Sequence, residues 1–180
     1  MNPTITSYIN DHQSEMFGLL KELVCIQSGS RNKQGIDRVG RRIALEMEAM
    51  GFSCEFQQET EYGSHLIARS PGQKSSGQKN TPDGPDITPD KKQILITGHM
   101  DTVFAEGSDF SDYREDDTRA FGPGVIDMKG GLVAGIFAIR ALAAADLLHR
   151  IPLAFVCNSD EEIGSGQSKA LILQEARKST

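Results

Sequence analysis

The chain has 180 residues, of which 38% are hydrophobic and 24% are charged, and its formal net charge at pH 7 is −6. These values fit one soluble globular domain, and the acidic balance argues against a nucleic-acid binder, which usually presents a basic surface. No secretory signal is visible at the start, and Gly135, Arg140 and Asp146 interrupt the longest apolar stretch, so no membrane span is predicted.

Two amphipathic helices and two short strands are predicted in the first 70 residues. The first helix ends at the "SGS" of residues 28–30, and the second is followed by Gly51, a suitable residue just after a helix. The apolar residues that recur at helical spacing are Met16, Leu19, Leu20, Leu23 and Val24, then Ile36, Val39, Ile43, Met47 and Met50. The strands are "FSCEFQ" and "HLIARS".

Residues 71–92 hold four prolines and three glycines and almost no apolar residues. This composition predicts a flexible surface insertion between two strands and not a linker between domains. Its lysines could contact a substrate, although a solvated loop is the simpler interpretation.

The remaining elements alternate strand and helix. "QILITGH" is a strand, "TRAFGPG" is a short strand leading into a turn, and "IPLAFVCNSD" is a buried strand of the kind found in parallel sheets. A helix from Met128 to about His149 is apolar nearly all round and should pack on the sheet, and a last helix covers roughly residues 167–177. The sequence therefore predicts an α/β fold, a three-layer α/β/α sandwich with a mostly parallel mixed sheet.

The three cysteines, Cys25, Cys54 and Cys157, are odd in number and widely spaced. They form no zinc ribbon or disulfide framework that can be read from the spacing. We interpret them as buried structural thiols in a reducing cytoplasm, and we expect a cytoplasmic protein.

Acidic and imidazole side chains follow three predicted strands. His99 and Asp101 come after "QILIT", Asp127 lies between "GPGVI" and the apolar helix, and Glu161 and Glu162 come after "IPLAFVCNSD". In α/β sheets, ligands bind at the carboxyl ends of the strands, so these side chains can meet in one crevice.

Each group also has a simpler interpretation. Asp127 could be the N-cap of the following helix, His99 and Asp101 could be turn residues, and the Glu161–Glu162 pair could be a solvated turn. Three coincidences at three strand ends are less expected than one site. Imidazole nitrogens and carboxylate oxygens are suitable ligands for Zn²⁺, so the pattern predicts a metal site.

The segments "GHMDTV", "GPGVIDMKGG" and "NSDEEIGSGQS" resemble the consecutive signatures of the co-catalytic zinc peptidase family. That family includes glutamate carboxypeptidases (carboxypeptidase G), aminoacylases, acetylornithine deacetylases and succinyl-diaminopimelate desuccinylases. The resemblance spans residues 94–175, and its wording is most like the glutamate-carboxypeptidase branch.

The resemblance implies a role for each of the five side chains. His99 ligates one zinc, Asp127 bridges two ions, and Glu162 ligates the second. Asp101 orients His99, and Glu161 is the general base that takes a proton from the attacking water. It also implies a cis peptide after Asp127, and Co or Mn as alternatives to zinc.

The resemblance further implies an additional acidic ligand, a lid or dimerisation domain and a second zinc-ligating histidine, none of which occurs by residue 180. His12, His65 and His149 are not expected to replace that histidine. We therefore interpret residues 1–180 as the N-terminal portion of a catalytic domain, with the lid domain absent. We expect weak zinc binding and little or no hydrolysis by the chain alone.

The function predicted on this basis is metal-dependent hydrolysis of amide bonds in peptides or N-acyl amino acids. The expected partner is such a small substrate, with no nucleic acid and no membrane, and a full-length form is expected to allow a homodimer. The competing hypothesis is a catalytically dead metal-binding or regulatory module on the same scaffold. A third hypothesis, a binding protein that uses the acidic loop 106–117, has only its charge in support.

Overall fold

The computed structural model describes residues 3–71 and 92–179. Their helices are α1 (Pro3–Asp11), α2 (Gln13–Val24), α3 (Lys33–Ala49), α4 (Gly130–Ala144) and α5 (Lys169–Arg177). Their strands are β1 (Ser53–Gln57), β2 (His65–Arg69), β3 (Ile94–His99), β4 (Arg114–Glu115), β5 (Ala120–Phe121) and β6 (Leu153–Asn158). The insertion predicted at 71–92 falls largely on residues 72–91, outside the described part of the chain, and stays a prediction.

The main sheet is mixed and has the strand order β1-β2-β6-β3. β1 and β2 pair antiparallel, β2 and β6 pair antiparallel, and β3 and β6 pair parallel. The α/β class and the mixed sheet are confirmed. The expectation of a mostly parallel sheet is wrong for the described strands, because a strand buried on both faces has the same apolar sequence whichever way its neighbours run.

Helices cover both faces of this sheet, which gives the predicted three layers. Side chains alternate along β2 and β6, so one set of residues points toward α2, α3 and α4 and the other toward α5. The first set is Leu66, Ala68, Leu153, Phe155 and Cys157, and the second is Ile67 and Val156, which pack with Leu171 of α5. Burial on both faces explains why β6 is apolar along its length.

α4 is the buried helix that the apolar run predicts, although it is shorter than expected. It begins at Gly130 and ends at Ala144, and Asp146 follows with a positive φ of 55°. At Gly135 a Cβ atom would lie 3.4 Å from the ring of Phe155, an ordinary van der Waals contact, so the packing of α4 on β6 does not require glycine here.

Three smaller features differ from the sequence-based expectations. The first predicted helix is two helices, because α1 and α2 are separated at His12. β4 lies within the acidic loop 106–117, where no strand was predicted, and it pairs with β5. Cys157 is buried as expected, whereas Cys25 is exposed.

Among the described residues, no helix is long and apolar enough to cross a membrane.

Candidate metal centre

His99 is the last residue of β3 and lies in register with Asn158 of β6. Its Nδ1 atom is 3.0 Å from the carbonyl oxygen of Asp101, and its Nε2 atom is 2.9 Å from Oδ1 of Asp127. Both partners are acceptors, so each ring nitrogen donates a proton to one of them. Burial alone lowers the pKa of His99, but hydrogen bonds to Asp101 and Asp127 and the charge of Asp101 outweigh it and raise the pKa to about 9.

Asp101 is fully buried and connects the ends of β3 and β6. One of its oxygens, Oδ1, accepts from the backbone N–H of Glu161 at 3.2 Å, and Oδ2 accepts from the N–H of Glu162 at 3.2 Å. The hydroxyl of Ser30 also donates to Oδ2, at 2.8 Å. The carboxylate lies 3.4 Å from Nδ1 of His99, farther than the carbonyl of the same residue. Its predicted orienting role is therefore shared with its own carbonyl oxygen.

Asp127 lies in a short turn, Val125–Lys129, that leads directly into α4. Its φ and ψ of −134° and 98° are not helical, and the Asp127–Met128 peptide is cis, as the resemblance implies. The residue at the N-cap of α4 is Lys129, which makes no side-chain cap, so the alternative that Asp127 caps this helix is wrong. The side chain of Asp127 is 67% exposed and faces His99.

The Glu161–Glu162 pair lies in a short 3₁₀ turn, Glu161–Ile163, after β6. Burial and the neighbouring carboxylates of Asp127, Asp101 and Glu161 raise the pKa of Glu162, although the charge of His99 acts in the opposite direction. Glu161 is about half exposed, and its Oε2 atom is 3.9 Å from Nε2 of His99. Both glutamates therefore belong to the same crevice as His99.

The three predicted ligands form one cluster. Ligand atoms of His99, Asp127 and Glu162 all lie within 4.8 Å of one another. Zinc bonds to imidazole nitrogen and carboxylate oxygen are about 2.0–2.2 Å long, so donor atoms at these separations are close to the spacing that metal ligands need. This donor set fits a divalent cation, and the assignment of each residue as a ligand stays a prediction.

The other three histidines lie away from this cluster. The Nδ1 atom of His12 is 2.8 Å from the carbonyl of Tyr8, and His149 lies 3.3 Å from Asp146 at the surface. His65 is buried in β2 with its Nδ1 atom 2.9 Å from the hydroxyl of Ser159. None of them is placed to replace a ligand.

Three further residues support the crevice, and the sequence analysis gave them no role. Ser30 bonds to Asp101 from a segment read only as the end of a helix. Lys129 is 1% exposed and donates to the carbonyl of Ile26 at 2.8 Å, and burial lowers its pKa to about 8. Asp160 accepts from the N–H of Gln167 at 2.7 Å and shapes the loop after the 3₁₀ turn. Lys129 and Asp160 lie inside the motifs "GPGVIDMKGG" and "NSDEEIGSGQS". Their place in these motifs was the sequence feature from which a role near the site could have been predicted.

Two cavities open beside the cluster, and both are lined by Val103 and Glu162. The first measures about 450 Å³ and has Arg31 as its basic residue. The second measures about 370 Å³ and includes the aromatic rings of Phe104 and Phe110. These volumes suit a small organic ligand, because pockets for such ligands usually measure about 300–1,000 Å³.

Comparison with known proteins finds a matching family model and related enzymes. Residues 95–178 match the model of peptidase family M20/M25/M40. Carboxypeptidase G2 from Pseudomonas sp. (strain RS-16) is 27% identical over 170 residues, and the Beta-Ala-His dipeptidase of Mus musculus is 27% identical over 179 residues. Each alignment covers 93% of this chain but only 37% and 35% of the relative, so the chain spans about a third of their length.

The fold is also that of a solved structure. Human carnosine dipeptidase 1 superposes with a TM-score of 0.74 and 24% identity, and the match covers 97% of this chain and 38% of the human chain. At this identity the likeness supports the fold alone.

Proposed function

We propose that this chain belongs to peptidase family M20/M25/M40, whose model residues 95–178 match, and that it is part of a metal-dependent hydrolase of amide bonds in peptides or N-acyl amino acids. The observation that carries the proposal is the cluster of His99, Asp127 and Glu162 at the carboxyl ends of two parallel strands. Residues from separate motifs meet there, as a hydrolytic metal site requires.

Zinc is the proposed metal, with two ions in a full-length enzyme and Co or Mn as alternatives. His99 and Asp127 would hold one ion, and Asp127 and Glu162 would hold the other. When bound, such ions polarise the scissile carbonyl and make water a better nucleophile at neutral pH. Asp127 is suited to the shared position, because its exposed carboxylate faces the other two ligands.

Glu161 is the proposed general base. Its carboxylate is half exposed and lies 3.9 Å from Nε2 of His99, so it faces the same centre without being part of the ligand cluster. A carboxylate in this position can take a proton from the attacking water and return it to the leaving amine. Asp101 supports this arrangement, because it holds the backbone N–H groups of both glutamates.

The substrate is proposed to be a small peptide or N-acyl amino acid of the kind cleaved by glutamate carboxypeptidases. The two cavities of about 450 and 370 Å³ that Glu162 lines support a ligand of this size. We further propose a cytoplasmic enzyme that acts on neither nucleic acid nor membranes and that forms a homodimer at full length.

Metal analysis combined with hydrolysis assays tests the proposal. The purified chain and its Asp127→Asn variant are dialysed against zinc, and bound metal is counted. N-acyl amino acids and a glutamate-terminated peptide are then offered to a full-length form. Metal binding that is lost in Asp127→Asn, together with amide hydrolysis by the full-length form, supports the proposal. Metal binding without hydrolysis of any of these substrates would favour the dead metal-binding module, and zinc binding that ignores Asp127→Asn would overturn the site.

A further inference from the structure

The carboxylate of Asp101 joins three parts of the chain that are distant in sequence. It follows β3, it accepts the N–H groups of Glu161 and Glu162 after β6, and it accepts the hydroxyl of Ser30, which is 71 residues away along the chain. Asp101 is fully buried and Ser30 is 8% exposed, so water competes little for these bonds. A change at Ser30 therefore reaches the ligand cluster through Asp101.

We propose that Ser30 is a positioning residue for the metal centre: its hydroxyl fixes the Asp101 carboxylate, which in turn holds His99 and the Glu161–Glu162 turn in place. The proposal rests on the proposed metal-dependent function. Its support is the 2.8 Å hydrogen bond between Ser30 and Asp101, the shortest of the bonds this carboxylate accepts.

The backbone around Ser30 delivers its hydroxyl in a fixed position. The N–H of Ser30 donates to the carbonyl of Thr102 at 3.2 Å, and the N–H of Thr102 donates to the carbonyl of Ser28 at 2.9 Å. These bonds tie the segment before α3 to the segment after β3 on both sides of the side chain. The hydroxyl therefore cannot leave Asp101 without breaking backbone bonds or changing rotamer.

Loss of the hydroxyl should loosen the turn that carries Glu162. The two N–H bonds to Asp101 are both 3.2 Å long, at the weak end of the normal range for this kind of bond. Without Ser30, these two long bonds and the contact with His99 would have to orient the carboxylate. Residues that orient metal ligands from behind typically change metal affinity by about 10–100-fold when removed.

Ser28 provides a matched control two positions away. It is 1% exposed, and its hydroxyl has no hydrogen-bond partner among the described residues. Ser28→Ala and Ser30→Ala remove the same atom from two buried sites, but only the second removes a bond to Asp101. Ser30→Thr keeps the hydroxyl and adds one methyl group at a residue that lines the 450 Å³ cavity.

The test measures zinc affinity by competition with a chromophoric chelator, and it follows the backbone amides of Glu161 and Glu162 by NMR in the metal-free chain. We expect Ser30→Ala to weaken zinc binding about tenfold and to shift both amide signals. The zinc affinities of Ser28→Ala and Ser30→Thr should stay within about twofold of that of the original chain. A loss of packing alone would not produce this difference between Ser30→Ala and the two controls.

Equal zinc affinity and unchanged amide signals in Ser30→Ala would overturn the role of Ser30. If the original chain binds no zinc, the proposed function fails, and the amide signals alone then decide whether Ser30 positions the turn. If Ser30→Ala does not fold, Ser30→Cys replaces it, because a thiol has a similar size and is a much weaker donor. A Ser30→Cys variant with the zinc affinity and the amide signals of the original chain would equally contradict the proposal.

Discussion

The proton on His99 predicts how zinc binding depends on pH. In the metal-free chain the pKa of His99 is about 9, so the imidazole carries two protons at neutral pH. Zinc binds the neutral ring, so the ion that His99 ligates must release one of these protons when it binds. We therefore expect the apparent zinc affinity to rise about tenfold for each pH unit near neutrality, by about 50-fold in all between pH 7 and 9, and to level off above that.

The cost of removing this proton can be worked from the same value. The rise from the ordinary pKa of 6.5 to about 9 corresponds to ~3 kcal/mol at about 1.4 kcal/mol per pH unit. The acidic partners that produce the rise are Asp101 and Asp127. Asp101→Asn removes one of these charges without touching a proposed ligand, so its zinc affinity should level off at a lower pH. His149→Ala, at an exposed residue far from the cluster, should behave like the original chain.

The same proton links pH to the stability of the metal-free chain. Because the folded pKa lies above the unfolded value, the contribution of His99 is fully present below pH 6.5 and is lost as the pH rises through about 9. We expect the free energy of unfolding to fall by about 2 kcal/mol between pH 6.5 and 8. Above pH 8 the buried Lys129, whose pKa is lowered to about 8, acts in the opposite direction.

Two measurements check this reasoning. Chelator competition at half-unit steps from pH 6.5 to 9.5 gives the zinc affinity, and urea unfolding of the metal-free chain gives the stability at pH 6.5 and 8. Zinc affinity that is independent of pH across this range, or an Asp101→Asn variant with an unchanged pH profile, would refute the assignment of the released proton to His99.

Three further predictions concern the base, the shared ligand and the packing. In a full-length form, Glu161→Gln should keep its metal content but lower turnover by about 10²–10⁴, and normal turnover with bound metal would exclude Glu161 as the base. Zinc at neutral pH should raise the melting temperature of the original chain, since the ion binds the folded site, and it should raise that of Asp127→Asn much less. Equal zinc responses of the two proteins in thermal melts would contradict the shared role of Asp127. Gly63→Ala should destabilise the chain by about 1–3 kcal/mol in urea unfolding, because the new methyl group would lie 2.3 Å from Cγ2 of Ile36. Its control is Gly18→Ala, at an exposed position of α2 where no atom lies within 4 Å of the new methyl group. This control should stabilise the chain by about 0.5–1 kcal/mol. A Gly63→Ala variant as stable as the original chain would show that the contact with Ile36 relaxes freely.

The sequence alone was sufficient to locate most strands and helices and to predict side chains that the structure brings into one crevice. β1, β2, β3 and β6 lie where their apolar runs predict, and Gly51 has the positive φ of 81° expected just after α3. These features depend on side chains within a few positions of one another, so a local pattern is enough to reveal them. The three motifs were informative for the same reason, because each is a short local pattern that contains its predicted site residue.

Only the tertiary structure decided how these pieces meet. The sequence of β6 is compatible with either direction of its neighbours, and the antiparallel pairing with β2 depends on the path of the chain between them. The bonds from Ser30 to Asp101 and from Lys129 to Ile26 join residues 71 and 103 positions apart. Such contacts leave no periodic signal, because their partners come close only after the sheet and its covering helices have assembled.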